Sequence, residues 1–171
     1  MSRNDESPSP RADEAPGPLL AAARAARAQA HAPYSRFAVG AAVQDEHGRI
    51  HGGCNVENAA YPQGWCAETS ALAAMVMAGG RRVTAVAVCG VSDQPVTPCG
   101  GCRQKLREFA ADDCPIWIVD TETVLGTHTL GALLPFSFGP EVLAPKLASA
   151  RYPPGGPSAG GPAEPDARRE A

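Results

Sequence analysis

Apolar and polar positions along this chain switch between helical and extended periods. Residues 19–30 are rich in Ala, carry Arg24 and Arg27 on one face and are followed by Pro33, which predicts a helix over 19–30. Residues 37–43 and 50–56 are short β-prone runs on either side of Asp45-Glu46-His47-Gly48, a turn-rich connection, and predict a β-hairpin. Residues 66–77 set Leu72, Met75 and Val76 at helical spacing and stop at Gly79-Gly80, as a helix with a glycine cap does. Residues 83–91 are almost continuously apolar, the pattern of a strand covered on both faces. A second buried helix is expected over 99–110, after Pro98 and with Leu106 and Phe109 on one side; strands are expected over 116–119 and 123–129. This order predicts an α/β fold, a three-layer α/β/α sandwich whose mixed five-stranded sheet has helices on both faces. No internal repeat is visible, which removes solenoids and propellers.

Composition narrows the picture. The 171 residues suit one domain with one core. Residues 1–16 are dominated by Ser, Pro and charged residues and 151–171 by Pro, Gly and Ala, so disordered tails are expected around a domain at 17–150. A net charge of −3 argues against a nucleic-acid surface, which needs clustered Lys and Arg. No apolar run approaches the roughly 20 residues that span a bilayer. Asp5, Glu6, Asp13 and Glu14 stand where a signal or transit peptide would be apolar or basic, so the protein is expected to be soluble and cytoplasmic. In that setting Cys54, Cys89 and Cys114, in or beside apolar stretches, read as buried thiols. His31, His47, His51 and His128 read as solvated side chains.

The remaining cysteines carry the chemistry. Cys66-Ala67-Glu68 is followed by Pro98-Cys99-Gly100-Gly101-Cys102. If Cys99 opens a helix, Cys99 and Cys102 lie on one face of its first turn, and Cys66 sits at another helix start. Unpaired N–H groups at such ends favour thiolates. Three thiols leave one of the four positions of a tetrahedral zinc open, which marks a catalytic site, and Glu68 can move protons at that position. Three thiolates and one Zn²⁺ sum to −1. The glycines at 100 and 101 are expected to let the backbone approach the metal. A closed structural zinc site would need a fourth ligand, and a redox Cys-x-x-Cys would need no third cysteine; either leaves Glu68 without a task.

These motifs resemble the cytidine deaminase family of short zinc hydrolases. The resemblance extends to Gln104, to Pro33-Tyr34-Ser35 with Phe37, to Val39-Gly40-Ala41-Ala42, to Asn55-Val56-Glu57-Asn58, to Tyr61-Pro62, and to Leu133-Leu134-Pro135 with Phe138-Gly139-Pro140, in family order over about 18–145. It implies one zinc on Cys66, Cys99 and Cys102, with Glu68 as the proton carrier and the Ala67 N–H meeting the base oxygen. It further implies Asn55 and Glu57 on the ribose hydroxyls, where a carboxylate accepts and an amide both donates and accepts. Phe37 is then the ring packed on the pyrimidine. Tyr61 and Phe138 become aromatics that reach a neighbouring subunit's pocket in a homotetramer. The implied reaction is hydrolytic deamination of cytidine and deoxycytidine to uridine and deoxyuridine, in pyrimidine salvage.

Thr69 departs from this pattern, because many members carry Arg directly after the glutamate. A hydroxyl there leaves the thiolates one cation short, to be offset by helix ends or by Arg103. Competing readings are a deaminase of another aminopyrimidine nucleoside, such as a blasticidin-type antibiotic, which would lack the Asn-x-Glu-Asn stretch, and a deoxycytidylate deaminase, which would need a basic phosphate site. A noncatalytic zinc module would explain the thiols but neither Glu68 nor the Asn55 and Glu57 pair.

Overall fold

In the computed structural model, which describes residues 16–143, helix α1 (Gly17–Arg27) is followed by the hairpin strands β1 (Val39–Asp45) and β2 (Ile50–Cys54). Then come helix α2 (Ala67–Met77), strand β3 (Val83–Gly90), helix α3 (Gly100–Arg107), strands β4 (Pro115–Val119) and β5 (Val124–Thr129), and the one-turn helix α4 (Leu130–Leu133). The chain divides into two units between Gly139 and Pro140. The described part of the second holds a 3-10 turn, Pro140–Val142. The expected tails, apart from Pro16, and the expected domain end at 150 lie outside the described residues.

The strands form one sheet in the order β2-β1-β3-β4-β5. Only β3 and β4 run parallel, joined through α3, so the sheet is mixed as expected. Side chains alternate across it. Ala41, Val43, Val86, Val88, Ile116 and Ile118 face α2, α3 and α4, packing on Leu72, Met75, Leu106 and Leu130. Ala42, Ala87, Cys89, Trp117 and Val119 face the other way, under Leu19, Leu20 and Ala23 of α1. Helices therefore cover both faces. Burying each Leu, Ile or Val side chain stabilises the fold by roughly 1.5–3 kcal/mol, before the entropy of ordering it is subtracted.

Two glycines set how close the helices come. A Cβ on Gly40 would stand 2.1 Å from the Ala23 carbonyl oxygen of α1, and one on Gly53 would stand 2.2 Å from the Ala71 nitrogen of α2. Both helices thus rest directly on strand backbone. At its far end α2 closes as expected: Gly79 takes φ +88, its N–H reaches the Val76 carbonyl, and the Gly80 N–H reaches the Met75 carbonyl.

Several boundaries move for tertiary reasons. The helix expected to reach residue 30 ends at Arg27, because His31 pairs with the 55–57 segment: its N–H donates to the Asn55 carbonyl and its carbonyl accepts from Glu57. The second strand stops at Cys54, and Val56 pairs with Trp65 instead. The first strand begins at Val39 rather than 37, after Arg36 turns the chain at φ +59. The third helix ends at Arg107 and not at 110, since Ala110 bridges to Val83. Helix α4 and the 3-10 turn Tyr61–Gln63 were not expected; neither is long enough to show a period.

Two side-chain readings are also corrected. Cys89 and Cys114 are buried, and burial pushes the Cys114 thiol up to about 12. Cys54 is only half-buried, with its thiol donating to the Gln29 carbonyl at 3.4 Å. His51 is not solvated: its side chain is 10% exposed and its Nε2 lies 2.9 Å from Asp45 Oδ2. Asp45 is itself buried and accepts from the backbone N–H groups of His47 and Arg49 and from Arg49 Nε. Burial opposes its charge, yet His51, Arg49 and these N–H groups together hold its carboxyl well below the usual carboxylate range.

Candidate active site

The sheet register puts the candidate residues at one end of the molecule. Gly40 pairs with Cys54 and Val39 with Gly90, so β2 and β3 finish at the same end of the sheet, on either side of the start of β1. The chain leaves both strands there to begin α2 and α3. Cys66 is the N-cap of α2 and Cys99 the N-cap of α3, both extended, and Cys102 follows in the first turn of α3. Two helix N-termini, each with unpaired N–H groups, thus converge on one spot.

The three Sγ atoms lie within 4.8 Å of one another, with Cys66 and Cys99 4.0 Å apart. Sulfurs about 2.3 Å from a tetrahedral zinc stand about 3.8 Å from each other, so this spacing accommodates the ion with little movement. The thiol chemistry agrees. Burial raises the Cys66 and Cys102 thiols, and for both the neighbouring Glu68 charge adds to the effect. Burial acts the same way on Cys99, but the Cys102 N–H and the adjacent thiols outweigh it and hold Cys99 below the ordinary cysteine range. Three thiolates this close need a cation. Cys66, Cys99 and Cys102 fit zinc, and no fourth Cys, His, Asp or Glu joins this cluster among the described residues.

A cleft of about 330 Å³ opens over the thiols and is lined by Phe37, Val39, Asn55, Ala67, Glu68, Val96 and Thr97. Glu68 is 4% exposed, and the Cys102 thiol donates to its Oε2 at 3.2 Å. Ala67 is the first residue of α2, so its N–H has no acceptor within the helix. Asn55 Oδ1 accepts from the Val39 N–H and its Nδ2 donates to the Phe37 carbonyl, both at 2.9 Å. This amide fastens the segment that carries Phe37 along the cleft.

Not every expected residue meets there. Glu57 accepts from the backbone N–H groups of Tyr34 and Ser35 and from the Ser35 hydroxyl, which hold its carboxyl below its ordinary range. It lines a separate hollow with Tyr34, Ser35, Asn58 and Tyr61. Tyr61 meets Tyr34 edge-on at 6.3 Å and is 79% exposed. Phe138 is 57% exposed, and its carbonyl accepts from Gln104.

Sequence reasoning missed Val96 and Thr97. Val96 folds over Gly90, where a Cβ would come within 2.8 Å of it, and nothing periodic marks such a loop residue. The one available signal was Pro98, which pushes the residue before it toward an extended conformation. The guanidinium of Arg103 donates to the Pro98 carbonyl, the Leu133 carbonyl and the Thr97 hydroxyl, so it braces this loop and α4. At Gly100 and Gly101 a Cβ would meet nothing within 4 Å, so no packing among the described residues demands glycine there.

A family model described as the cytidine and deoxycytidylate deaminase zinc-binding region matches residues 17–118. The chain is 41% identical to a cytidine deaminase of Sporosarcina psychrophila over 126 residues, covering 74% of this chain and 93% of that protein. It is 41% identical to a cytidine deaminase of Mycobacterium tuberculosis over 114 residues, covering 67% of this chain and 82% of the relative. Among solved structures, the cytidine deaminase of Burkholderia pseudomallei superposes with a TM-score of 0.67 at 41% identity, covering 71% of this chain and 97% of that one. With helix N-termini, thiols and buried glutamate arranged as above, the chain belongs to the cytidine and deoxycytidylate deaminase zinc-binding family.

Proposed function

We propose that this protein is a zinc-dependent cytidine deaminase, converting cytidine and deoxycytidine with water to uridine and deoxyuridine and releasing ammonia. The observation that carries the reading is Glu68, a buried carboxylate beside three converging thiols at the floor of a cleft. Cys66, Cys99 and Cys102 hold the zinc, which supplies a Lewis acid that makes water acidic near neutral pH.

Glu68 takes a proton from the attacking water and delivers it to N3 of the base as the water oxygen adds to C4. It then carries a second proton, from the added hydroxyl, to the exocyclic amine. The C4–N bond breaks, ammonia leaves and the carbonyl of uridine forms. The Ala67 N–H donates to the base O2, and Phe37 packs on the pyrimidine ring. Asn55 and Glu57 hold the ribose hydroxyls; for Glu57 this means exchanging its bond from Ser35 for one from a sugar hydroxyl.

We also assign a homotetramer in the cytoplasm, working in pyrimidine salvage. The exposure of Tyr61 and Phe138 supports it, because large aromatic side chains left in water are the usual anchors of an interface. Sedimentation in dilute solution tests the assembly: a monomer would remove both residues from a neighbour's pocket.

A panel of cytidine, deoxycytidine, cytosine, deoxycytidylate and adenosine, followed by ammonia release, tests the chemistry. Cytidine and deoxycytidine are expected to turn over fastest. Cytosine outrunning cytidine would overturn the roles of Asn55 and Glu57, and no release from any nucleoside would overturn the function.

A further inference from the structure

Thr69 follows Glu68 in the first turn of α2, and its hydroxyl has an unusual position. A helical Thr ordinarily returns its hydroxyl to a carbonyl three or four residues back. Here those carbonyls are engaged: Cys66 O accepts from the Ser70 N–H and hydroxyl, and Trp65 O accepts from the Val56 N–H. Thr69 Oγ1 instead lies 3.9 Å from Cys102 Sγ. It approaches from outside the substrate cleft, since Thr69 lines a separate apolar groove with Trp65, Leu72 and Phe109.

Cys102 is the deepest of the three thiols, fully buried, and its other side-chain neighbours are the Cys66 and Cys99 thiols and the Glu68 carboxylate. A thiolate there, facing another anion, gains from any donor it can reach. Arg103, the nearest cation in sequence, is spent on the carbonyls of Pro98 and Leu133 and on Thr97.

Resting on the reading of Cys66, Cys99 and Cys102 as a zinc site, we propose that Thr69 is a positioning residue whose hydroxyl donates to the Cys102 thiolate and tightens zinc binding. It does so with no formal charge. Partners placed behind metal ligands in this way commonly account for about tenfold to a hundredfold in metal affinity.

The test is zinc competition against a chromophoric chelator at fixed pH, on the full chain and its Thr69→Val and Thr69→Ser variants. Valine keeps the shape and removes the hydroxyl; serine keeps the hydroxyl and removes the methyl. Thr69→Val should loosen zinc by about tenfold to a hundredfold, while Thr69→Ser stays close to the parent. In the cobalt-loaded proteins, the thiolate-to-metal charge-transfer band should shift in Thr69→Val and not in Thr69→Ser. Parental affinity in Thr69→Val, or equal weakening in both variants, overturns the role of the hydroxyl. A parent chain that takes up no zinc would overturn the reading of the site itself. If Thr69→Val does not fold, parental affinity and band position in Thr69→Ser against a loss in Thr69→Ala still carry the proposal, and equal loss in those two overturns it.

Discussion

The Cys102 thiol donates to Glu68 Oε2 at 3.2 Å, with both side chains almost wholly shielded from water. Two anions at that separation repel strongly, so Cys102 can ionise beside an ionised Glu68 only when a cation shares the space. Glu68→Gln keeps the size and removes the charge and the proton-carrying capacity. The variant is expected to retain its zinc and its fold while turnover falls by about 10²–10⁴ or more. Zinc analysis beside a rate measurement checks it, and substantial remaining activity would take Glu68 out of the mechanism.

Cys102→Ala removes the buried thiol proposed as a zinc ligand. Zinc content is expected to fall to background by metal analysis, with activity lost and not regained on adding zinc. The parent stripped by a chelator should regain activity with zinc. Retained zinc in the alanine variant would show that Cys102 is not a ligand.

The neighbouring glycines Gly52 and Gly53 should respond very differently to the same change. A Cβ at Gly53 runs into the α2 backbone, 2.2 Å from the Ala71 nitrogen and 2.6 Å from the Ala67 oxygen. A Cβ at Gly52 meets nothing closer than 3.6 Å. Gly53→Ala is expected to destabilise by about 1–3 kcal/mol, and to cut turnover because α2 carries Cys66 and Glu68. Gly52→Ala should stay within about 0.5 kcal/mol of the parent in denaturant unfolding. Equal effects would mean that close approach of α2 does not set the site.

Asp45 makes stability depend on acid. Its folded carboxyl titrates below the ordinary value of 3.8, so its contribution is complete above that value. It is lost as pH falls from about 4 through 2, where the unfolded chain takes up the proton first. Asp45→Asn should melt below the parent at pH 7, and the gap should narrow as pH drops through this window. Thermal unfolding at several pH values checks it; a gap constant across the window would show that the charge of Asp45 does not matter.

Much of this protein could be read along the chain. The apolar spacing of residues 66–77 required a helix and the continuous apolar run of 83–91 a covered strand, and both formed. Gly79-Gly80 marked the end of α2 because a left-handed cap favours glycine. Cys66, Glu68, Cys99 and Cys102 stood out as candidates by residue type and spacing, since metal ligation depends on which atoms a side chain carries, and the fold brings them together. Other features depended on neighbours remote in sequence. Asn55 and Glu57 are two residues apart, yet a ladder through His31 and Trp65 turns one into the cleft and hands the other to Ser35. Val96 and Thr97 joined the site through Gly90 and Arg103, and His51 was buried by Asp45 across its own hairpin. Local pattern determined which segments become helix or strand and which residues can bind a metal. Tertiary contacts, made where backbone and side-chain partners meet across the sheet, decided where those segments end and which polar groups face the cleft.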